Sequence, residues 1–106
     1  MFSRLFKRPA PPSPPLFAIR SLQLSEKVQW LAGKGLIDPM LYVQRHLHGD
    51  WGDIGEAESQ ANAVALNQNG PLYSRYQVTP CLYLAVITDD SHSTTIIQLP
   101  EERALL

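Results

Sequence analysis

Eight consecutive positions, His46-Leu47-His48-Gly49-Asp50-Trp51-Gly52-Asp53, hold two imidazoles, two carboxylates and an indole spaced by two glycines. Imidazole and carboxylate suit zinc or manganese, and a glycine-bounded loop can fold them inward. His46, His48 and Asp50, followed by Asp53, are therefore a candidate metal set. The spacing lacks the second, distant ligand pair of a closed zinc site. The plainer account is structural: His46 and Asp50 satisfy backbone groups in a tight turn, and Trp51 is largely buried beneath it.

A second chemistry uses groups farther apart. His48 and His92 have the residue type for a general base and acid, with Arg75 to hold a scissile phosphate and Ser74 or Tyr76 to donate to it. That is the constellation of a small ribonuclease or toxin-like enzyme with a barnase- or RelE-like sheet, and it requires His48, Arg75 and His92 to share one concave face. Nucleophilic catalysis has less support. Cys81 opens an apolar strand and is expected to be a small packed residue, and no serine lies in a Gly-x-Ser-x-Gly elbow. No loop for a nucleotide cofactor accompanies either set, and no cofactor is expected.

Charge narrows the partners. Residues 1–15 carry five of the nine prolines and three basic residues without an acid, whereas residues 16–106 set six Lys or Arg against ten Asp or Glu, a net of −4. An acidic body disfavours an extended nucleic-acid face, which depends on neutralising phosphates. The proline-rich stretch is expected to be a disordered basic tail ahead of one domain over 16–106. It fits an SH3-ligand spacing at Arg8, Pro11 and Pro14. A single cysteine excludes an internal disulfide and suits a reducing, cytoplasmic setting. No apolar run approaches the ~20 residues of a membrane span.

These residues need elements to position them. Ser25 can cap a helix that carries Val28, Leu31 and Ala32 on one face and stops at Gly33 or Gly35. Asp38 as cap, Pro39 at the first helical position and an Ile37–Tyr42 staple begin a second helix. There Met40, Val43 and Leu47 line one side and Gly49 ends the run, with Arg45, His46 and His48 at the exit. A third helix is predicted over 56–67, with Ala57, Ala61, Val64 and Ala65 inward and Gly70 as stop. The period then changes to two. Leu72 to Val78 reads as a half-exposed strand, Cys81 to Thr88 as a central one, and Thr94 to Leu99 as a third, after an exposed, mobile loop at Asp89 to Ser93. The expected fold class is α+β, with about three N-terminal helices packed on a three-stranded antiparallel meander.

Several separated blocks together resemble the small "plasmid-related" proteins of bacterial mobile elements. They are Arg45-His46-Leu47-His48-Gly49-Asp50-Trp51-Gly52, then Asn62, Leu72-Tyr73-Ser74-Arg75-Tyr76, Val86-Ile87-Thr88-Asp89, Ser93-Thr94-Thr95 and Leu99-Pro100-Glu101-Glu102. The resemblance spans about residues 22–103. Ala85, Asp89, His92 and Arg103 stand where that family's pattern has Trp, Glu, Arg and Tyr, and the arginine that usually precedes its L-L-S block is missing near Pro71. The resemblance implies an accessory protein of a plasmid or integrative element and carries no established activity. The expected role is a non-catalytic protein-binding module that meets another protein through Arg45, His48, Asp50, Trp51 and Asp53 on one turn and Asp89 and His92 on another.

Overall fold

The computed structural model describes residues 14–102, so the tail up to Ser13, with its SH3-type spacing, and Arg103 onward lie outside the described residues. In chain order the elements are β1 (Ser21–Leu24), α1 (Glu26–Gly33), α2 (Pro39–Leu47), α3 (Glu56–Asn67), β2 (Leu72–Thr79), β3 (Leu82–Thr88) and β4 (Thr94–Gln98). The strands form one four-stranded sheet in the order β1-β4-β3-β2. The expected three-stranded antiparallel meander is thereby corrected. The β2-β3 and β3-β4 pairs are antiparallel, but β1 adds a fourth strand, parallel to β4, with Ser21 opposite Thr94 and Leu24 opposite Ile97. Ser-Leu-Gln-Leu is too short to show a period, and what makes it a strand is a partner more than seventy positions downstream.

Alternation sorts the strands onto two faces. Leu22 and Leu24, Ile97 and Leu99, Leu84 and Val86, and Tyr76 share the face that α1 and α2 cover, where they join Val28, Ile37 and Val43 in the main core, and Leu72 is buried on the same face. Tyr73, Arg75 and Gln77 lie on the other face with Tyr83, Ala85, Ile87, Ile96 and Gln98.

The helix boundaries follow their local signals. The Ser25 side chain accepts the Val28 N–H at 3.3 Å and donates to the Glu102 carboxylate at 2.8 Å. The same carboxylate oxygen accepts the Leu99 N–H at 2.7 Å, so the Leu-Pro-Glu-Glu block ties the end of β4 to the start of α1. Pro39 opens α2 and Ile37 and Tyr42 meet in the core, but the Asp38 side chain makes no capping bond. Met40 is exposed, and His46 takes the inward place beside Val43.

The inward face of α3 also differs from expectation. Ala57, Ala61 and Val64 are exposed, while Asn62 and Ala65 are buried. An alanine methyl contributes little on burial, about 0.8 kcal/mol. Asn62 instead satisfies two backbone groups of β2, and leaving those unpaired would cost about 1–3 kcal/mol each, so the asparagine sets the rotation of the helix.

One buried polar atom among the described residues lacks a partner, the Gln98 Oε1, while its Nε2 donates to the Glu102 carbonyl at 3.1 Å. Gln98→Met gives up that one bond and removes the unpaired oxygen. The expected net effect is stabilising, by up to about 1 kcal/mol, and a urea midpoint below that of the parent would contradict it.

Candidate functional site

The Gly49–Asp53 turn and Asn62 converge on the outer edge of β2. In an antiparallel edge strand every second residue turns its N–H and C=O outward, and unpaired groups of this kind invite another chain. In β2 these residues are Tyr73, Arg75 and Gln77. Tyr73 donates its N–H to Asn62 Oδ1 at 3.0 Å and accepts from Asn62 Nδ2 at 2.7 Å. Arg75 donates its N–H to the Trp51 carbonyl at 3.1 Å and accepts the Asp53 N–H at 2.5 Å, and its Nε donates to the Asp53 carbonyl at 3.1 Å. The Gln77 N–H goes to the Asp53 carboxylate at 3.1 Å. Gly52 lies against Arg75 as a one-residue parallel bridge, at φ +72°. The motif is therefore an edge seal.

A second layer holds the turn itself. Arg45 Nε donates to Asp50 Oδ2 at 2.6 Å, the Gly52 N–H donates to Asp50 Oδ1 at 3.2 Å, and the Tyr76 hydroxyl donates to the Asp50 carbonyl at 2.6 Å. The Arg45 guanidinium also lies 4.6 Å from the Tyr76 ring centroid. The hydrogen bond from Arg45 holds the Asp50 carboxyl below the usual carboxylate range.

Inside the turn His46 is fully buried. Its Nδ1 meets Ser74 Oγ at 2.5 Å and its Nε2 meets Thr88 Oγ1 at 2.9 Å, and Thr88 continues to Thr95 at 2.8 Å. Each ring nitrogen thus has one hydroxyl partner, and the neutral imidazole donates to one of them and accepts from the other. Phe17 and Trp51 close over the ring edge-on, each with its centroid 5.4 Å from that of His46. Burial alone pushes the imidazole down to about 4, so it is neutral at pH 7.

The remaining candidates do not converge. Trp51 is partly buried, with its indole edge-on to the His46 ring. His48 is exposed and its Nδ1–H donates to the Gln44 carbonyl at 2.7 Å, while Asp50 faces Arg45, so His46, His48 and Asp50 point to three different neighbours. Among the described residues no group of three or more His, Cys, Asp or Glu side chains is arranged for a metal. Of the nuclease set, Ser74 and Tyr76 project into the helix-covered core, and Arg75 projects from the opposite face with its guanidinium 5.4 Å from the Tyr83 ring centroid. Cys81 is exposed in the β2–β3 turn and is not the packed residue its apolar neighbours suggested.

The Asp89–Ser93 loop is a closed turn. Asp89 accepts the N–H groups of Ser93 at 2.8 Å and Thr94 at 3.2 Å, and the hydroxyls of Ser93 and Ser91. His92 sits at φ +58° and donates Nε2–H to the Gly70 carbonyl at 2.8 Å. Asp90 and Ser91 are exposed as expected, while Asp89, His92 and Ser93 are half-buried and hydrogen-bonded.

What sequence reasoning missed lies at the α1–α2 hairpin. Trp30, Leu36, Met40 and Leu41 are 59%, 59%, 49% and 55% exposed within twelve residues of chain. The signal was available: Trp30 is out of phase with the Val28–Leu31–Ala32 stripe, and Leu41 with the Val43–Leu47 stripe.

The fold and its edge seal thus define a small α+β domain built on a mixed sheet. No family model, no curated protein and no solved structure matches the chain. Among the described residues no helix is long and apolar enough to cross a membrane.

Proposed function

We propose that this chain is a non-catalytic protein-binding module, an accessory protein of a bacterial plasmid or integrative element that works in the cytoplasm. One observation carries the reading: four large apolar side chains stand exposed within twelve residues of chain, from α1 through the connecting turn to the start of α2, and exposed apolar groups of this kind mark contact surfaces on small domains. Two others support it. Of the residues a ribonuclease would use, Ser74 and Tyr76 lie on the face opposite Arg75, and His92 is tied to the Gly70 carbonyl. The blocks that resemble the plasmid-related proteins account for the accessory role.

The contact runs along α2. Met40 and Leu41 at its start, with Trp30 and Leu36, supply the apolar centre, and Arg45 in its last turn with His48 and Asp50 beyond its end supply a polar rim. Asp53 and Asp89 act indirectly, by holding the backbone that displays the rim.

The test is affinity for a partner isolated with the tagged chain from cells that carry the element. Leu41→Asp and Trp30→Ala are each expected to weaken binding at least about tenfold, with an unchanged urea midpoint because both side chains are mostly in water. Parental affinity in both variants would refute the hairpin as the contact. Hydrolysis of a short RNA by the purified chain, lost in His48→Ala, would favour the ribonuclease reading instead.

A further inference from the structure

The two edges of the sheet are treated differently. Along β2 the outward backbone groups of Tyr73 and Arg75, and the N–H of Gln77, are satisfied by Asn62, Trp51 and Asp53. Along β1 most of them have no partner among the described residues. The Ser21 N–H donates to Ser93 and the Ser25 N–H to Ile97, so the odd-numbered residues face β4 and Leu22 and Leu24 turn their N–H and C=O outward. Of those four groups only the Leu24 carbonyl has a partner among the described residues, Gln29 Nε2 at 2.7 Å. The strand Ser-Leu-Gln-Leu has no charge, proline or bulge, the devices that keep an edge from pairing.

We propose that β1 pairs antiparallel with β1 of a second copy of this chain, across a two-fold axis at Gln23, joining two four-stranded sheets into one. The register follows from which residues are extended. Centred on Gln23, Leu22 of each copy lies opposite Leu24 of the other, and each such pair exchanges two N–H···O bonds, four in all. The Leu24 carbonyl has a second lone pair, so Gln29 need not leave. Centring on Leu22 would set Leu24 against Arg20, which lies in a bend outside the strand. Centring on Leu24 would set Leu22 against Glu26, already in α1.

Two further features agree with this axis. Leu22 and Leu24 are half-exposed members of the core, and the pairing lays them beside their counterparts so that the apolar face runs through the seam. Arg20 and Glu26, both exposed, flank the strand three positions either side of Gln23, so the axis brings the arginine end of one strand to the glutamate end of the other.

Sedimentation velocity on the full chain, from micromolar to millimolar concentration, tests the proposal. The parent is expected to pass from monomer to dimer across that range. Arg20→Glu and Glu26→Arg are each expected to raise the dissociation constant at least fivefold, and the double exchange to bring it back within twofold of the parent. Leu22→Pro, which removes an outward N–H and leaves β4 its partners, is expected to abolish the dimer while circular dichroism reports a folded chain. A parent that stays monomeric throughout overturns the proposal. So does a dimer indifferent to all three charge variants, or one that Leu41→Asp dissolves instead, which would make the helical hairpin the self-contact. None of these outcomes alters the partner-affinity test of that hairpin.

Discussion

Gly52→Ala is expected to destabilise the domain by about 3–5 kcal/mol, a large share of what a chain of this size has available. Two costs combine. Gly52 sits at φ +72°, a region that a residue with a Cβ enters only with strain. A Cβ built there would also collide with the Arg75 carbonyl and approach Tyr76 Cδ1 at 2.5 Å and Cε1 at 2.8 Å. The Arg75 carbonyl is backbone held by the Asp53 N–H, so it cannot swing aside. Urea unfolding provides the measurement, with Gly33→Ala as contrast. Gly33 ends α1 with nothing within 4 Å of an added Cβ, so alanine there is expected to stabilise by about 0.5 kcal/mol. Equal midpoints for the two variants would mean that the turn does not seal the β2 edge.

The second large effect is a loss of stability in acid that originates at His46. In the folded chain burial holds the imidazole down to about 4, whereas in the unfolded chain it titrates near ~6.5. The unfolded state therefore binds a proton first as the pH falls. The contribution of neutral His46 is complete above ~6.5 and is lost progressively down to about 4, a total of about 3 kcal/mol. The groups against the ring are the hydroxyls of Ser74 and Thr88 and the rings of Phe17 and Trp51, none of which can offset a buried cation. His46→Gln can still bond either hydroxyl and cannot titrate. Its stability at pH 7 is expected to drop by about 1–3 kcal/mol through imperfect geometry, and its slope between pH 6.5 and pH 4 to flatten. A variant that keeps the parental slope would place the acid sensitivity elsewhere.

Both effects arise in the His46–Asp53 run that stands out in the sequence, and neither is catalytic. Residue types alone show that such a cluster is unusual but not what it faces. Asp53 seals an edge because β2 lies beside it, and Asn62, unremarkable within α3, completes that seal from nine positions away. The same two-strand context places Ser74 and Arg75, adjacent in the chain, on opposite faces of the sheet, which divides the residues a nuclease would need.

Local physics made the rest readable. Ser25, Pro39, Glu56 and Glu58 mark helix starts through groups within a few residues, and Gly35 and Gly49, both at positive φ, mark the ends in the same way. The alternation from Leu72 to Val78 and the apolar run in β3 report burial directly, so the edge and central character of these strands was legible. The sequence by itself therefore determined the helices, three of the four strands and the half-exposed face of β2, because each depends on neighbours one to four residues apart. Only the tertiary structure decided the parallel docking of Ser21–Leu24 on β4, the inward turn of Asn62 in place of the alanines and the neutral His46 chain. In each of these the energy comes from pairing groups far apart in the chain, and no local period encodes that distance.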